Sequence, residues 1–269
     1  MSASYHIFIG RPLDDSERKK IDEALRTTFD EADSLFNQQN PRSEIAKLNA
    51  AQANVLIPLS VPMQDFLAFC GQLVHLSGGR FDPTIEPLKA VWKEALDQQK
   101  TPSAEKLQPA LDALGWSHIN IKNGIFRKDH ALTQIDLGGI LKGRCIDWLA
   151  EQLQTFGYTD FFIEWDGEMR ASGQHPLIGD WVVQINPHIT SGGKPIAPVP
   201  LRNCAIAMSK GNEQKGQSTD GKACRTSRLI DPLTGEPLQT TPNSIASAVV
   251  LAPTCALADA LASAAMLLA

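Results

Sequence analysis

Hydrophobic residues recur every three or four positions in some segments of the chain and alternate with polar residues in others. The first pattern is typical of amphipathic helices and the second of half-buried strands. Helices are predicted at residues 14–36, 43–49, 61–77, 92–96, 101–114, 140–156 and 255–268. Strands are predicted at residues 5–9, 119–125, 131–137, 158–165, 181–186, 205–209, 228–230 and 246–251, with a long polar loop at 210–226. Together the two patterns predict an α/β fold of the mixed α+β kind.

The segment from Ile135 to Asp147 joins a short apolar run to a helix through Gly138 and Gly139. This order predicts a strand, a tight turn and a helix, and the strand that follows makes the unit βαβ-like. A helix start presents unpaired backbone N–H groups that can receive a phosphate, and Lys142 adds a positive charge one turn inside. The alternative is a Gly-Gly turn needed only for close packing. The GxGxxG and GxxxxGK[ST] spacings are absent, which argues against an ordinary dinucleotide or nucleoside triphosphate site.

Composition narrows the class of protein mainly by exclusion. The 269 residues suffice for one large domain or two closely joined lobes, and 43% hydrophobic and 20% charged residues are ordinary for a soluble globular protein. The net charge is -5 and no Lys/Arg run occurs, which argues against a nucleic-acid binder. The N-terminal segment of the sequence shows no secretion or lipidation signal. No apolar run is long enough to span a membrane, so a cytoplasmic protein without membrane contact is expected. Five scattered cysteines without a CxxC pair predict reduced thiols.

The predicted C-terminal helix carries Asp259 and Ser263 four positions apart. Residues at this spacing share a helix face, with Cβ atoms about 5–6 Å apart. A carboxylate and a hydroxyl so placed form half of a hard-cation site, because Mg²⁺ commonly combines one or two protein oxygens with waters and substrate phosphates. The alternative is a solvated helix face.

Five blocks of the sequence match, in order, the motifs of one family. They are PRSEIAKLN at 41–49, FDPTIEPL at 81–88 with Trp92 beyond it, DLGGILKG at 136–143, IDPLTGEP at 230–237 and APTCALADALAS at 252–263. From about Ser34 onward the chain therefore resembles the ApbE family of FAD:protein FMN transferases. The resemblance implies one ApbE-like domain over residues 1–269, built as two closely joined lobes with a nucleotide cleft between them. The family's last strand is expected to be missing after Ala269.

The resemblance implies an enzyme with FAD as its substrate and Mg²⁺ as its cofactor. Such an enzyme transfers FMN to a threonine hydroxyl of an acceptor flavoprotein and releases AMP, and a fumarate-reductase-like protein is the expected acceptor. Asp259 and Ser263 would hold the metal together with the carbonyl of Gly139. The residues implied around the flavin nucleotide are Asp136, Lys142, Ile230 and Trp92.

Several positions depart from the family pattern. The histidine that usually precedes the Ile-Asp-Pro segment is replaced by Arg228, which cannot accept a proton at neutral pH but can clamp a phosphate. Arg228 and Asp231 are predicted as the catalytic residues, and the proton acceptor is left unassigned. Where the family usually has Gly-Gly-Asp, this chain has Asp-Gly-Glu at residues 166–168. Met208 and Ser263 each replace a threonine of the family pattern, and Ser263 keeps the hydroxyl group.

The sequence is also compatible with two other functions. A metal-dependent FAD pyrophosphatase would use the same site with water as nucleophile and give FMN and AMP. A flavin-binding module that has lost catalysis would bind FAD and release nothing.

Overall fold

The computed structural model describes residues 5–98, 100–185, 198–211, 213–217, 223–239 and 244–268, without the side chains of 213–217, 223–226 and 228. The helices are α1 Asp15–Phe36, α2 Glu44–Ala50, α3 Val61–Leu76, α4 Glu86–Asp97, α5 Ala104–Asp112, α6 Leu141–Thr155 and α7 Cys255–Ala265, with 3-10 turns at Pro83–Ile85 and Trp116–His118. The strands are β1 Tyr5–Ile9, β2 Ile57–Pro58, β3 Ile119–Lys122, β4 Ile125–Lys128, β5 Phe161–Trp165, β6 Glu168–Ser172, β7 Trp181–Val183, β8 Val199–Leu201, β9 Cys204–Lys210, β10 Glu213–Gln217, β11 Ala223–Ile230, β12 Pro237–Gln239 and β13 Ser247–Ala252.

The predicted helices are confirmed, except that α4 begins at Glu86 and not at Trp92. Capping side chains fix the starts of two of them. The hydroxyl of Ser43 accepts from the N–H of Ala46 at 3.1 Å, and the hydroxyl of Ser60 accepts from the N–H of Met63 at 3.3 Å. Each bond satisfies one of the backbone donors that a helix start leaves unpaired. The mixed α+β class is confirmed as well, since helices and antiparallel sheets share the chain.

The chain divides into two compact units. The first comprises the described residues of Met1–Ala32, Gly138–Lys210 and Ser247–Ser263. Its antiparallel sheet has the strand order β1-β5-β6-β9-β13. Apolar residues of α1, α6 and α7 pack against one face of this sheet, and the β7–β8 pair packs against the other. The sheet therefore lies between two apolar cores.

The second unit comprises the described residues of Asp33–Leu137, Gly211–Ala246 and Ala264–Ala269. It contains α2 to α5 and two small sheets, with strand orders β2-β4-β3 and β10-β11-β12. One of its core clusters joins Leu88 and Trp92 of α4 to Ala110 of α5 and Ile230 of β11. The β3–β4 hairpin turns at Asn123 and Gly124, which have φ angles of 53° and 72°. This is the conformation that the Asn-Gly pair predicts.

The strand predicted at residues 131–137 is wrong, and with it the βαβ-like unit. Its backbone groups bond to side chains and to a loop instead of to a neighbouring strand: Asn49 donates to the Ile135 carbonyl at 2.9 Å and accepts from the Ile135 N–H at 2.7 Å. The Asp136 N–H donates to the carbonyl of Pro83 at 2.6 Å. An extended segment whose polar groups are satisfied in this way needs no sheet.

The loop predicted at residues 210–226 is also wrong where the structure describes it. β10 pairs with β11 in antiparallel register from Glu213 opposite Ser227 to Gln217 opposite Ala223. The polar sequence of these strands carries no alternating hydrophobic signal, so backbone pairing alone reveals them.

Most of the cysteines whose side chains are described are buried, and their reduced state stays a prediction. Cys70, Cys145, Cys204 and Cys255 form no disulfide, and burial raises the pKa of the Cys145 thiol to about 12. The side chain of Cys224 lies outside the described part. None of the described helices combines the length and hydrophobicity that crossing a membrane requires.

Candidate active site

The first turn of α6 packs directly on the start of α7 in the first unit. A Cβ added at Gly143 would lie 2.6 Å from the carbonyl oxygen of Cys255 and 2.7 Å from the backbone nitrogen of Ala256. Only glycine allows this approach. It brings the Gly143 N–H to 3.3 Å from a carboxylate oxygen of Asp259. The glycine that follows Lys142 therefore serves the contact between two helices.

Gly143→Ala is expected to lower the free energy of unfolding by about 1–3 kcal/mol, as overpacking typically does. The added methyl group meets backbone atoms, which cannot rotate away, and the gain of about 1 kcal/mol in helix propensity does not offset this. Thermal and urea denaturation measure the change. Gly211→Ala is the matched control, because its Cβ would have 3.5 Å to its nearest neighbour. Equal stability of both variants would contradict the close approach.

Asp259 is a buried carboxyl on α7 with 8% of its surface exposed. Burial, and next the negative charge of Glu168, raises the pKa of Asp259 to about 8. Among the described residues it forms no ion pair. A buried acid without a cationic partner is costly when ionised, so a bound cation would stabilise its charged form.

The residues present fit a hard cation. Ser263 follows Asp259 by one turn of α7, is half-buried and has no hydrogen-bond partner among the described residues. Gly139, whose carbonyl is the third predicted ligand, lies in the turn before α6 in the same unit. No three His, Cys, Asp or Glu side chains converge within the described part. A set of one carboxylate, one hydroxyl and one carbonyl suits Mg²⁺, which keeps waters and substrate phosphates as its other ligands.

The raised pKa of Asp259 predicts a pH dependence of stability in the metal-free protein. The unfolded chain loses this proton near the ordinary value of 3.8 and the folded chain near 8, so the folded state binds more protons between them. Stability therefore falls as the pH rises from about 4 to about 8, by at most on the order of 5 kcal/mol from this group. Denaturation in EDTA at several pH values measures the fall. Asp259→Asn should decline less steeply, and an identical slope would contradict the assignment.

Lys142 is held by two carboxylates near the start of α6. Its Nζ lies 2.6 Å from Glu168 and 3.2 Å from Asp166. Burial acts to lower the pKa of Lys142, but the bonds to these two groups outweigh burial and raise it. Burial raises the pKa of Glu168, and the Lys142 ammonium opposes that rise. Lys142 is thus fixed as a cation beside a buried acid.

The turn between β5 and β6 places both carboxylates. Asp166 and Gly167 have φ angles of 51° and 96°, and Trp165 pairs with Glu168 across the hairpin. Glu168 was not among the predicted site residues, although it was seen as a departure from the family pattern. The sequence does contain a signal for the position of Glu168. The Asp-Gly pair between two apolar runs marks a hairpin turn, so Glu168 is the first residue of the next strand.

Asp147 anchors the start of α7 to α6. Its carboxylate accepts from the N–H groups of Cys255 at 2.8 Å and Ala256 at 2.9 Å, and Arg170 of β6 donates to it as well. The side chain is 2% exposed. This contact sets where α7, and hence Asp259, lies against α6. Sequence reasoning assigned Asp147 no role.

In the second unit, Asp136 pairs with a lysine that sequence reasoning did not identify. Lys89 of α4 donates to the Asp136 carboxylate, whose side chain is 8% exposed. Glu86, one turn earlier in α4, has a pKa raised by burial and next by the charge of Asp136. The carboxylate predicted beside the flavin nucleotide is therefore already paired with an ammonium group.

The Asp-Pro segment forms a closed turn after β11. The carboxylate of Asp231 accepts from the Leu233 N–H at 2.9 Å, and its carbonyl accepts from the Gly235 N–H at 2.8 Å. Trp92 is 4% exposed, and its indole donates to the carbonyl of Gly235 at 2.8 Å. Ile230, just before the turn, is buried in the same cluster as Trp92. Asp231 thus stabilises the turn through its side chain and its backbone.

The comparisons with known proteins agree on one family. A sequence model described as the ApbE family matches residues 1–269. The chain belongs to the ApbE family. The FAD:protein FMN transferase of Chlamydia pneumoniae is 34% identical to it over 267 residues, which cover 98% of this chain and 81% of that protein.

Solved structures of ApbE proteins share the fold. The flavin transferase ApbE from Vibrio cholerae superimposes with a TM-score of 0.82 at 25% identity, over 99% of this chain and 84% of that one. The apo flavinyl transferase ApbE of Pseudomonas stutzeri gives a TM-score of 0.82 at 24% identity, over 98% of this chain and 84% of that one. The predicted ApbE-like fold is therefore confirmed. The nucleotide cleft between two lobes and the single domain over 1–269 stay predictions.

The structure distributes the predicted ApbE site residues over the two units. Gly139, Lys142, Asp259 and Ser263 belong to the first unit, and Trp92, Asp136, Ile230 and Asp231 to the second. Arg228 lies on β11, and its side chain is outside the described part. The roles predicted for all nine residues in metal binding, FAD binding and catalysis stay predictions.

Proposed function

We propose that this chain is a Mg²⁺-dependent transferase that moves FMN from FAD to a threonine hydroxyl of an acceptor flavoprotein and releases AMP. The observation that carries the proposal is Asp259, a buried carboxyl without an ion pair among the described residues, on the same helix as the unpartnered Ser263 hydroxyl. The names of the ApbE relatives, FAD:protein FMN transferase, supply the reaction. The acceptor we propose is a fumarate-reductase-like flavoprotein.

The reaction exchanges one phosphorus–oxygen bond for another. The threonine oxygen bonds to the FMN phosphorus, the bond from that phosphorus to the bridging oxygen breaks, and AMP leaves with the bridging oxygen. The hydroxyl proton ends on the AMP phosphate or in water, and no residue of the chain is assigned to accept it. Asp259, Ser263 and the Gly139 carbonyl would hold Mg²⁺, and the ion would supply positive charge to offset that of the phosphates.

Several residues of the chain prepare this exchange. The Lys142 ammonium offers positive charge for a phosphate, and Glu168 and Asp166 hold it in place. Asp147 fixes the start of α7 and so the position of Asp259. Arg228 is permanently charged, so its proposed role is to hold a phosphate and not to accept the proton.

The decisive test incubates the purified protein with FAD and MgCl₂, with and without a fumarate-reductase-like acceptor that carries the threonine. AMP release and acceptor mass are followed, and the same acceptor with that threonine changed to alanine is the control. One FMN gained by the threonine acceptor alone supports transfer. AMP without labelling identifies a pyrophosphatase, and FAD binding without AMP identifies a binding module; either outcome rejects the proposal.

Position 263 provides a matched pair of variants for the metal site. Ser263→Thr keeps the hydroxyl and has the residue usual in the family, whereas Ser263→Ala removes an oxygen ligand. If the proposal holds, the alanine variant needs at least tenfold more MgCl₂ for half-maximal rate, and the threonine variant stays near the parent. An unchanged MgCl₂ requirement in the alanine variant would remove Ser263 from the site.

A further inference from the structure

Two histidines meet at the base of the β3–β4 hairpin in the second unit. His118 ends the 3-10 turn before β3, and His130 follows β4 by two residues. The Asp129 N–H donates to the His118 carbonyl at 3.1 Å, which continues the hairpin pairing by one step. The two imidazole rings have centroids 5.6 Å apart and planes tilted by 51°. The hairpin backbone therefore holds both rings close together.

His118 has the environment of a metal-ligating histidine. Its Nδ1 lies 2.7 Å from a carboxylate oxygen of Asp129, and its side chain is 26% exposed. A carboxylate on one ring nitrogen fixes the tautomer and makes the other nitrogen a better ligand. Among the described residues, no group bonds to the remaining Nε2. Asp82, which accepts from the Trp116 N–H at 3.1 Å, adds further negative charge near His118.

His130 leaves a buried polar atom unsatisfied. Its Nδ1 is buried without a hydrogen-bond partner, and its Nε2 also has none among the described residues. A buried nitrogen without a hydrogen-bond partner destabilises the folded state. Native structures rarely keep such an atom unless an ion, a water or a functional role accounts for it. The His118 ring lies next to it and brings two further ring nitrogens close to this atom.

The ring separation suits one ion between the two imidazoles. Zinc binds an imidazole nitrogen at about 2.0–2.1 Å, which places the ion about 3.2 Å from the ring centroid. Centroids 5.6 Å apart then correspond to an angle of about 120° at the ion, close to the tetrahedral value. No three His, Cys, Asp or Glu side chains converge within the described residues, so water would complete the coordination.

We propose that His118 and His130, with Asp129 orienting His118, form a binding site for a divalent transition cation of the zinc class. Imidazole nitrogen favours such ions over Mg²⁺, which prefers oxygen ligands. The site therefore differs in chemistry and in residues from the set around Asp259. It requires neither FAD nor transferase activity.

The test uses the whole chain without an affinity tag, first treated with EDTA and then transferred to a chelator-free buffer at pH 7.5. ZnCl₂ alone and MgCl₂ alone are titrated by calorimetry and by thermal unfolding. One zinc ion should bind per chain. At a free zinc concentration ten times the dissociation constant, the unfolding temperature should rise by about 2–4 °C. MgCl₂ should not compete with it.

Variants assign the site. His118→Gln and His130→Gln should each weaken zinc binding at least tenfold, and Asp129→Asn by about tenfold, as loss of a carboxylate behind a ligand does. His75→Gln, at an exposed histidine of α3, should bind zinc like the parent. Circular dichroism confirms that each variant is folded. The proposal would be overturned if neither His118→Gln nor His130→Gln changed the zinc affinity. It would also be overturned if His75→Gln lowered the affinity as much as they do.

A measurement on the unaltered chain gives an independent readout. Diethylpyrocarbonate modifies accessible imidazole nitrogens, and mass spectrometry locates the modified residues. Zinc should protect His118 and His130 at least fivefold and leave His75 modified as before. Protection at neither residue would reject the site even if zinc binds elsewhere on the chain.

Discussion

Asp259→Asn is expected to reduce the rate of FMN transfer by about 10²–10³-fold, because it removes the negative charge that would hold the metal at the phosphates. The amide has nearly the same shape as the carboxyl, so the effect reports charge rather than packing. The measurement is the initial rate of AMP release and of acceptor labelling over a titration of MgCl₂. Glu151→Gln, at an exposed position of α6, is the control.

The stability of the Asn variant separates loss of function from loss of fold. Burial raises the pKa of Asp259 to about 8, so at higher pH the metal-free parent carries a buried, unpaired charge that the amide lacks. The variant should therefore be at least as stable as the parent at pH 8.5. A variant that is folded, and within threefold of the parent rate at saturating MgCl₂, would exclude Asp259 as a metal ligand.

The second large effect is expected for Asp147→Ala, which should lower the free energy of unfolding by about 3–5 kcal/mol. The change leaves Arg170, whose side chain is 16% exposed, without its partner, and it leaves the Cys255 and Ala256 N–H groups without an acceptor. A fall of about 10 °C in unfolding temperature corresponds to this loss. Circular dichroism during heating measures it.

Two further variants show whether the unpaired charge causes that loss. Asp147→Asn keeps an oxygen acceptor for the start of α7 and should be destabilised less than the alanine variant. A double variant, Asp147→Leu with Arg170→Met, removes both charges and should recover part of the stability, because an apolar pair avoids burying a single charge. If Asp147→Ala unfolds within 2 °C of the parent, the anchoring role of Asp147 is wrong.

Local sequence signals predicted much of the secondary structure. The starts of α2 and α3 follow from Ser43 and Ser60, whose hydroxyls cap them, because a cap acts within four residues. Asn123-Gly124 marks the turn of the β3–β4 hairpin for the same reason, but the partner strand was predicted at residues 131–137 and lies at Ile125–Lys128. The metal-ligand candidates on α7 came from spacing, since helical residues four apart share a face, together with the resemblance to the ApbE family.

The errors arose where distant groups satisfied a backbone segment or where paired strands lacked an apolar period. Residues 131–137 have a strand-like composition, yet Asn49 supplies the hydrogen bonds of Ile135 from 86 positions away. The β10–β11 pair lacks an apolar period and is visible only in the backbone pairing. Neither the bond of Lys142 to Glu168 nor that of Lys89 to Asp136 follows from spacing, because the partners lie 26 and 47 residues apart.

The sequence by itself determined the ApbE family, the mixed α+β class, the helices and the oxygen-bearing residues of α7, because these depend on local periodicity, on caps and on short motifs read in order. Only the tertiary structure decided the electrostatic state of the site residues. Asp259 has a pKa of about 8 because folding buries it near Glu168, and Lys142 is held between two carboxylates because the β5–β6 turn presents them. Burial and charge pairing depend on distances between residues far apart in the chain, and only folding sets those distances.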